Sequence, residues 1–466
     1  MNYSRTIKLL TMVGLLFLPQ LMNAQLLKGK VVGMSVDDAA VAYSPDGYLL
    51  NQKMFDLKVA SDGTFTFDMP LENPTADVEI YFGENGIYGA HLVKGKTVEM
   101  TITVKDGKEE VTFKGPEADV SRFVNLSSKA FDSMKYSSMD PSAGRPNAEY
   151  RALLEENYNK VKAALPKIKN KQQREFYTRL SEGNYKWTKA RLIMDDCEDK
   201  HVSTKDNAEM KELLKDIDVN DPINYRTNMS LTALNQMCKT EFGGSNEAMC
   251  YEQMDIVNKF VTLPALRNVM VRIIGQNYYL YGDGSGDYEE FTKRFKLFAG
   301  QDAAIVDGMY KSFLEVKKSK EKTAAGTPAP DITLDLPDGK QVQLKDIARG
   351  KFTYIDVWAT WCGPCKKEIP FMAQLVERFK GNDKVQFISI SVDENVDAWK
   401  KMIEADKPAW AQYNIHGAVN AQFSKDWGIT GIPRFIMIDK NGNIFAADAT
   451  RPSNEETAKT IEEQLK

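Results

Sequence analysis

The chain reads as a multi-domain protein, all-β at its N-terminal end, α-helical in the middle and α/β at its C-terminal end. Three changes of pattern predict this. Residues 26–115 alternate apolar and polar side chains, residues 117–322 repeat with the period of a helix, and residues after 331 alternate apolar runs with helical stretches. With 466 residues and 42% hydrophobic side chains, each segment has material for its own core. The 61 basic and 65 acidic side chains leave a formal net charge of −4, so no basic field is available to grip a nucleic-acid backbone, and nucleic-acid partners are discounted.

At the N-terminus, Arg5 and Lys8 precede an apolar run over residues 9–18, and Met22-Asn23-Ala24 follows. That order is the pattern of a secretory signal peptide over 1–24, cleaved after Ala24, and the run is too short to span a bilayer. An uncleaved membrane anchor is the plain alternative. No cysteine follows the run, which argues against a lipid anchor. No later stretch reaches spanning length, so the mature chain is expected to be soluble in the periplasm or another extracytoplasmic space.

Residues 25–116 are expected to form an antiparallel β-sandwich. Alternation is clear in Thr64-Phe65-Thr66-Phe67, in Val78-Glu79-Ile80-Tyr81-Phe82 and along 98–104, with turns at Asp46-Gly47, Asp62-Gly63 and Asp106-Gly107. His91 is expected to be a half-exposed strand residue with no role. Over 117–322, Tyr150, Leu153, Leu154, Tyr158 and Val161 share a helix face, as do Met254, Val257 and Val261, which predicts a bundle with no solenoid period. Phe176, Tyr177, Tyr185 and Trp187 are read as core. Residues 323–330 are small and proline-rich, the composition of an exposed connector.

The last segment, 331–466, opens on a hairpin, Ile332-Thr333-Leu334-Asp335-Leu336 and Gln341-Val342-Gln343-Leu344 around Pro337-Asp338-Gly339. An apolar run ending near Trp358, a helix starting at Cys362 and a second run over 385–390 follow. Then come Arg434-Phe435-Ile436-Met437-Ile438, a turn at Asn441-Gly442, a strand near Ile444 and a final helix from about Asn454. This order describes an α/β sheet with at least two parallel neighbours.

Five cysteines are too few for a disulfide scaffold. Two of them, Cys362 and Cys365, stand two residues apart at a strand-to-helix junction. Such a pair can close a small disulfide ring, and unpaired N–H groups at a helix start favour a thiolate there. Structural zinc needs four ligands, whereas only one Cys-x-x-Cys is present and His201 and His416 have no companions, so no metal and no cofactor are expected. Cys238 and Cys250 could pair in an oxidising compartment or remain core thiols, and Cys197 would then be odd.

Three stretches carry a family resemblance: Trp361-Cys362-Gly363-Pro364-Cys365, its continuation Lys366-Lys367-Glu368-Ile369-Pro370, and Thr430-Gly431-Ile432-Pro433 before a strand. Together with the long segment 393–427, which looks like the helical insertion of the branch, they resemble the thioredoxin superfamily and, within it, the TlpA-like periplasmic branch. The resemblance implies a thioredoxin fold over 331–466. It makes Cys362 the exposed nucleophile and Cys365 the buried cysteine that resolves the mixed disulfide. Asp356 matches a buried aspartate that takes the proton of Cys365 directly or through water, its plain alternative being a strand-end Asp bonded to backbone. Pro433 matches the cis-proline, with Ile432 placed to pair with an extended substrate. Trp358 and Trp361 are expected to form the apolar surface beside Cys362, with Gly363 and Pro364 completing the substrate-binding side. Pro364 suits a first helical turn, and Pro370 is expected to kink the helix. A peroxiredoxin would carry threonine where Ala359 stands.

The activity so implied is thiol–disulfide exchange on secreted, disulfide-containing proteins, with recharging by a membrane electron donor. The Gly-Pro dipeptide is that of thioredoxin, whose potential is about −270 mV, which favours reduction. A disulfide isomerase, with the N-terminal regions binding misfolded chains or forming a homodimer, is the nearest rival. A partner-binding protein with a dedicated redox domain is a reading from a different class.

Overall fold

The computed structural model describes residues 26–466 apart from 35, 37–38, 46, 49–51, 70, 83–85, 137–146, 240–246 and 283–285. The expected leader and Asp46 of an expected turn lie outside the described residues. The chain divides into two compact units, one ending at Met309 and the other running from Tyr310 to Lys466.

The first unit begins with β1 (Leu27–Val32), β2 (Ala40–Tyr43), β3 (Lys53–Asp56), β4 (Thr64–Phe67), β5 (Thr75–Tyr81), β6 (Ile87–Val93), β7 (Val98–Lys105) and β8 (Lys108–Lys114). They form two four-stranded sheets, ordered β4-β1-β7-β8 and β3-β2-β5-β6. Along β7, Val98, Met100 and Ile102 are buried while Glu99 and Thr101 are exposed, and the buried set joins Val78 and Ile80 of β5 in one apolar core. The turns predict antiparallel pairing throughout, and one pair departs from it. β1 runs parallel to β7, with Leu27 opposite Val98. Turn residues reveal hairpins between successive strands, whereas this pairing is set by the apolar face that two distant strands share.

His91 also differs from its expected place. It is 4% exposed, and its cross-strand neighbour on β5 is Asp77. Its Nδ1 lies 2.6 Å from Asp77 Oδ1 and its Nε2 lies 2.9 Å from Glu117 Oε2. Tyr177 donates its hydroxyl to Asp77 at 2.8 Å, and Gln173 Nε2 donates to Glu117 at 2.7 Å. Burial pulls the imidazole pKa down, but the hydrogen bonds and charges of Asp77 and Glu117 outweigh it, and the net direction is upward. An imidazolium donating from both nitrogens satisfies this geometry.

The helices of this unit are α1 (Ala118–Ala130), α2 (Asn147–Ala164), α3 (Lys171–Asp199), α4 (Ala208–Leu214), α5 (Pro222–Arg226), α6 (Met229–Met237), α7 (Glu247–Phe260), α8 (Pro264–Tyr279) and α9 (Tyr288–Ala299). The helix α10 (Ala303–Lys322) follows, and the division at Met309 falls within it. Capping explains several starts: Asn170, Asn207, Asp221 and Asp287 each accept hydrogen bonds from the first-turn N–H groups of α3, α4, α5 and α9. Val269 and Ile274 of α8 bury against Phe291 and Phe295 of α9. Of the aromatic residues expected in the core, Tyr177 is buried, but Phe176, Tyr185 and Trp187 are half-buried. Cys197, Cys238 and Cys250 are buried free thiols. Burial, with Glu247 nearby, pushes the Cys250 thiol up to about 12, which leaves it unreactive.

The second unit is built on one seven-stranded sheet, ordered β10-β9-β13-β12-β11-β14-β15. Its strands are β9 (Thr333–Asp335), β10 (Gln341–Gln343), β11 (Phe352–Trp358), β12 (Val385–Ser391), β13 (Ala411–Asn414), β14 (Arg434–Ile438) and β15 (Ile444–Ala446). Its helices are α11 (Leu344–Ala348), α12 (Gly363–Arg378), α13 (Val396–Asp406), α14 (Gly417–Asp426) and α15 (Glu455–Gln464). β11, β12 and β13 are parallel neighbours, and β14 returns antiparallel against β11. Every residue of β11 is buried. Ile355 and Val357 face one apolar cluster, Phe352 and Tyr354 the other, so both faces of the sheet are covered. The segment 393–427, expected to be helical, also contains β13. Its Ala411-Gln412-Tyr413-Asn414 is too short to show a period beside two helices. The connector is tied down as well, since Gly326 N donates to Ile444 O at 2.7 Å and Ala329 N to Gly442 O at 3.0 Å.

Candidate active site

The site forms where β11 ends and α12 begins. The helix starts one residue later than expected, at Gly363, and Cys362 is its N-cap. Pro364 in the first turn costs no hydrogen bond, because its missing N–H would have had no intrahelical partner. The helix also contains Pro370. Cys362 and Cys365 are joined by a disulfide, with their Cα atoms 5.2 Å apart. Cys365 N donates to Cys362 Sγ at 3.2 Å. On reduction, that N–H and the helix end favour negative charge on Cys362, and thiolate is the attacking form.

Cys362 is 5% exposed and Cys365 2%. Both are buried, so Cys362 is not an exposed residue in this disulfide form. An apolar cluster covers it: Trp358, Ala359 and Trp399 are buried with the two cysteines, and Trp361 and Ile432 pack against them from the rim. The Ile432–Pro433 peptide bond is cis, immediately before β14. Gly363 is half-buried and Pro364 exposed. The fold therefore brings Cys362, Cys365, Trp358, Trp361 and Ile432 together.

Asp356 lies on the β11 face that carries Tyr354 and Trp358, and lines a cavity together with Trp358 and Ile369. It is 4% exposed, and its neighbour in the parallel register is Ser389 of β12. Ser389 Oγ donates to Asp356 Oδ2 at 3.1 Å. Burial drives the Asp356 pKa from 3.8 up to about 7, opposed by the Ser389 hydrogen bond and reinforced by the charge of Glu368. A base with a pKa near neutrality is suited to accept a thiol proton. A cavity of ≈ 20 Å³, lined by Asp356, Ser389, Trp410, Met402, Ile403 and Asp406 among others, adjoins the carboxylate. It has room for about one water molecule.

Two positions escaped the sequence reading. Glu368, on α12, is 8% exposed and accepts from Ser453 N at 3.1 Å and Ser453 Oγ at 3.0 Å. Asp393 is fully buried and fixes the loop before Cys362, accepting from Thr360 N at 2.8 Å, Thr360 Oγ1 at 2.7 Å and Ser391 Oγ at 2.8 Å. The available signal was a carboxylate just beyond the end of an apolar strand, which sequence alone does not distinguish from a surface turn.

A family model described as Redoxin matches residues 324–465. The thiol-disulfide oxidoreductase ResA of Bacillus thuringiensis subsp. konkukian is 30% identical over 151 residues, which cover 32% of this chain and 80% of that protein. The chain belongs to the thioredoxin superfamily, in its TlpA-like branch. The ResA of Bacillus subtilis is 36% identical over 135 residues, or 29% of this chain and 73% of that protein. A crystal structure of the thioredoxin domain of a thiol-disulfide oxidoreductase from Bacteroides vulgatus has 30% identity and a TM-score of 0.28, covering 31% of this chain and 99% of that one. The protein is a thioredoxin-like thiol–disulfide oxidoreductase, and residues 324–465, which hold Cys362 and Cys365, are the part that carries this membership.

Proposed function

We propose that this oxidoreductase works outside the cytoplasm and reduces disulfides of secreted proteins by dithiol exchange. The Cys362 thiolate attacks a substrate disulfide, forming a mixed disulfide and releasing one substrate thiolate. Asp356 takes the proton of Cys365, whose sulfur then attacks Cys362 Sγ. The Cys362–Cys365 disulfide forms and the second substrate thiolate leaves. The substrate gains two electrons, and the chain ends in the oxidised state, to be reduced again by a membrane electron donor of the kind the family resemblance implies. The observation that carries this reading is an N-cap cysteine, its sulfur accepting the Cys365 N–H, at the end of a strand that carries a buried carboxylate with its pKa raised to about 7. Trp361, Ile432 and cis-Pro433 serve as the substrate-binding rim, with Gly363 and Pro364 beside them.

The basic-then-apolar pattern of residues 1–24 supports export. Among the described residues, no helix is long and apolar enough to cross a membrane. The apolar core shared by the two N-terminal sheets supports reading 25–116 as a sandwich, and the helices over 117–322 support a bundle. Domain 331–466 then performs the exchange, with 323–330 leading into it.

Incubating the reduced chain with insulin tests the activity, and trapping tests the residue roles. Cys365→Ser is expected to accumulate mixed disulfides on Cys362 and Cys362→Ser none. A reduced chain that leaves insulin disulfides intact and traps no protein would overturn the proposal. Efficient rescue of scrambled substrates with weak net reduction would instead favour isomerisation.

A further inference from the structure

Several tryptophans surround the site, and they treat their indole N–H groups differently. Trp358 Nε1 and Trp399 Nε1 are buried without a hydrogen-bond partner among the described residues. Trp410, just before β13, directs its Nε1 at Ser389 Oγ, 2.8 Å away. The parallel register sets this up, since Ser389 is opposite Asp356 on one side and opposite Gln412 on the other. An indole N–H can only donate, so it occupies a lone pair of the serine oxygen and leaves the hydroxyl proton for Asp356 Oδ2 at 3.1 Å.

We infer that Trp410 is a positioning residue for the active-site carboxylate: it orders and polarises the Ser389 hydroxyl as a donor to Asp356, and so sets how readily that carboxylate holds a proton. The inference rests on the reading of Asp356 as the base for Cys365. A chain of donors in which each bond polarises the next strengthens the last one. Here the last bond stabilises the carboxylate form against its burial. The remaining ionisable groups around Asp356 do not supply that help. Glu368 on α12 raises its proton affinity through like charge, Tyr354 on β11 is a neutral phenol held in place by donating to Thr450 O at 2.7 Å, and Asp406 on α13 brings a second carboxyl to the cavity wall. Ser389 is thus the neutral donor that opposes burial, and Trp410 stands behind it.

The test is a titration of Asp356 in the oxidised full-length chain. It follows the infrared carbonyl band of the protonated carboxyl, assigned by its loss in Asp356→Asn. Removing a hydrogen bond to a charged acceptor in Ser389→Ala is expected to raise the midpoint by about one pH unit. Replacing the Trp410 indole by benzothiophene keeps the ring and drops the N–H, and is expected to raise it by about 0.3 of a unit. Ser389→Thr, which keeps the hydroxyl, should return the midpoint to that of the parent. If Trp410 acted only by excluding solvent, the benzothiophene protein would titrate like the parent, and an unchanged or lowered midpoint overturns the inference. Exchange kinetics are read separately. Should Asp356→Asn exchange at the parental rate, the base reading fails, while the infrared midpoints still decide the role of Trp410.

Discussion

Asp356 and His91 are both buried ionisable residues on strands, and their surroundings differ in sign and in completeness. His91 has a carboxylate on each ring nitrogen, with Tyr177 and Gln173 holding those carboxylates in turn. Asp356 has one neutral donor, Ser389, and a like charge in Glu368. A buried charge with an opposite charge on each ring nitrogen is held in its charged form by the scaffold around it. A buried carboxylate left undermatched sits near its own titration point at neutral pH, the condition a proton acceptor requires. The undermatched group lies on β11, the strand that leads into Cys362, and the matched one links β5, β6, α1 and α3 of the first unit.

The largest effect is expected from relieving the undermatched group. With a folded-state pKa raised from 3.8 to about 7, the folded chain retains a proton that the unfolded chain releases within that window. Asp356 therefore weakens folding increasingly as pH rises from about 4 to about 7. Asp356→Asn should stabilise the second unit by up to about 4 kcal/mol above that window and by almost nothing below it. Guanidinium unfolding at the two pH extremes measures this. The same variant should slow exchange by about 100-fold near neutral pH.

Breaking the matched cluster should have the reverse pattern. His91→Leu is expected to cost about 2 kcal/mol of stability in mildly acidic solution and to leave the exchange rate alone. Because the His91 pKa is raised above 6.5, its contribution is complete below that value and is lost as pH rises through the folded-state pKa. The penalty should therefore shrink in alkaline solution. A pH-independent penalty, or a loss of exchange, would dissolve the contrast between the two clusters.

The smallest change is expected at a third buried carboxylate, Asp393, which is satisfied by neutral donors alone. Thr360→Val removes one of these and keeps the backbone N–H bond, so about 1 kcal/mol is expected. Thermal unfolding reads the loss. The exchange rate should change only a few-fold, since the loop before Cys362 keeps its main anchor.

The legible parts of this molecule were those with a local cause. Alternation along Val98-Glu99-Met100-Thr101 exposed β7, and the two cysteines after an apolar run exposed the β11–α12 junction. Features that depend on distant register were hidden. Nothing near Leu27 shows that β1 lies parallel to Val98, and nothing near His91 shows that Glu117 and Tyr177 close over it. Asp356 was picked out through family likeness, but Ser389 and Trp410 emerge only when β12 and β13 take their places beside β11. The short strand β13 was masked by the helices on either side, and the disulfide form buries Cys362 more than a helix start alone would suggest.

Proton transfer from Cys365 to Asp356 can be timed directly. The reduced chain, mixed with Ellman's reagent in a stopped-flow instrument, releases one thionitrobenzoate on attack by Cys362 and a second when Cys365 resolves the mixed disulfide. In the parent the second phase is expected to rise in rate with a midpoint of about 7, the value of the Asp356 carboxyl. In Asp356→Asn that phase should be about 100-fold slower and lose the midpoint, with the first phase unchanged. Identical second phases in the two proteins at every pH would contradict that proton transfer.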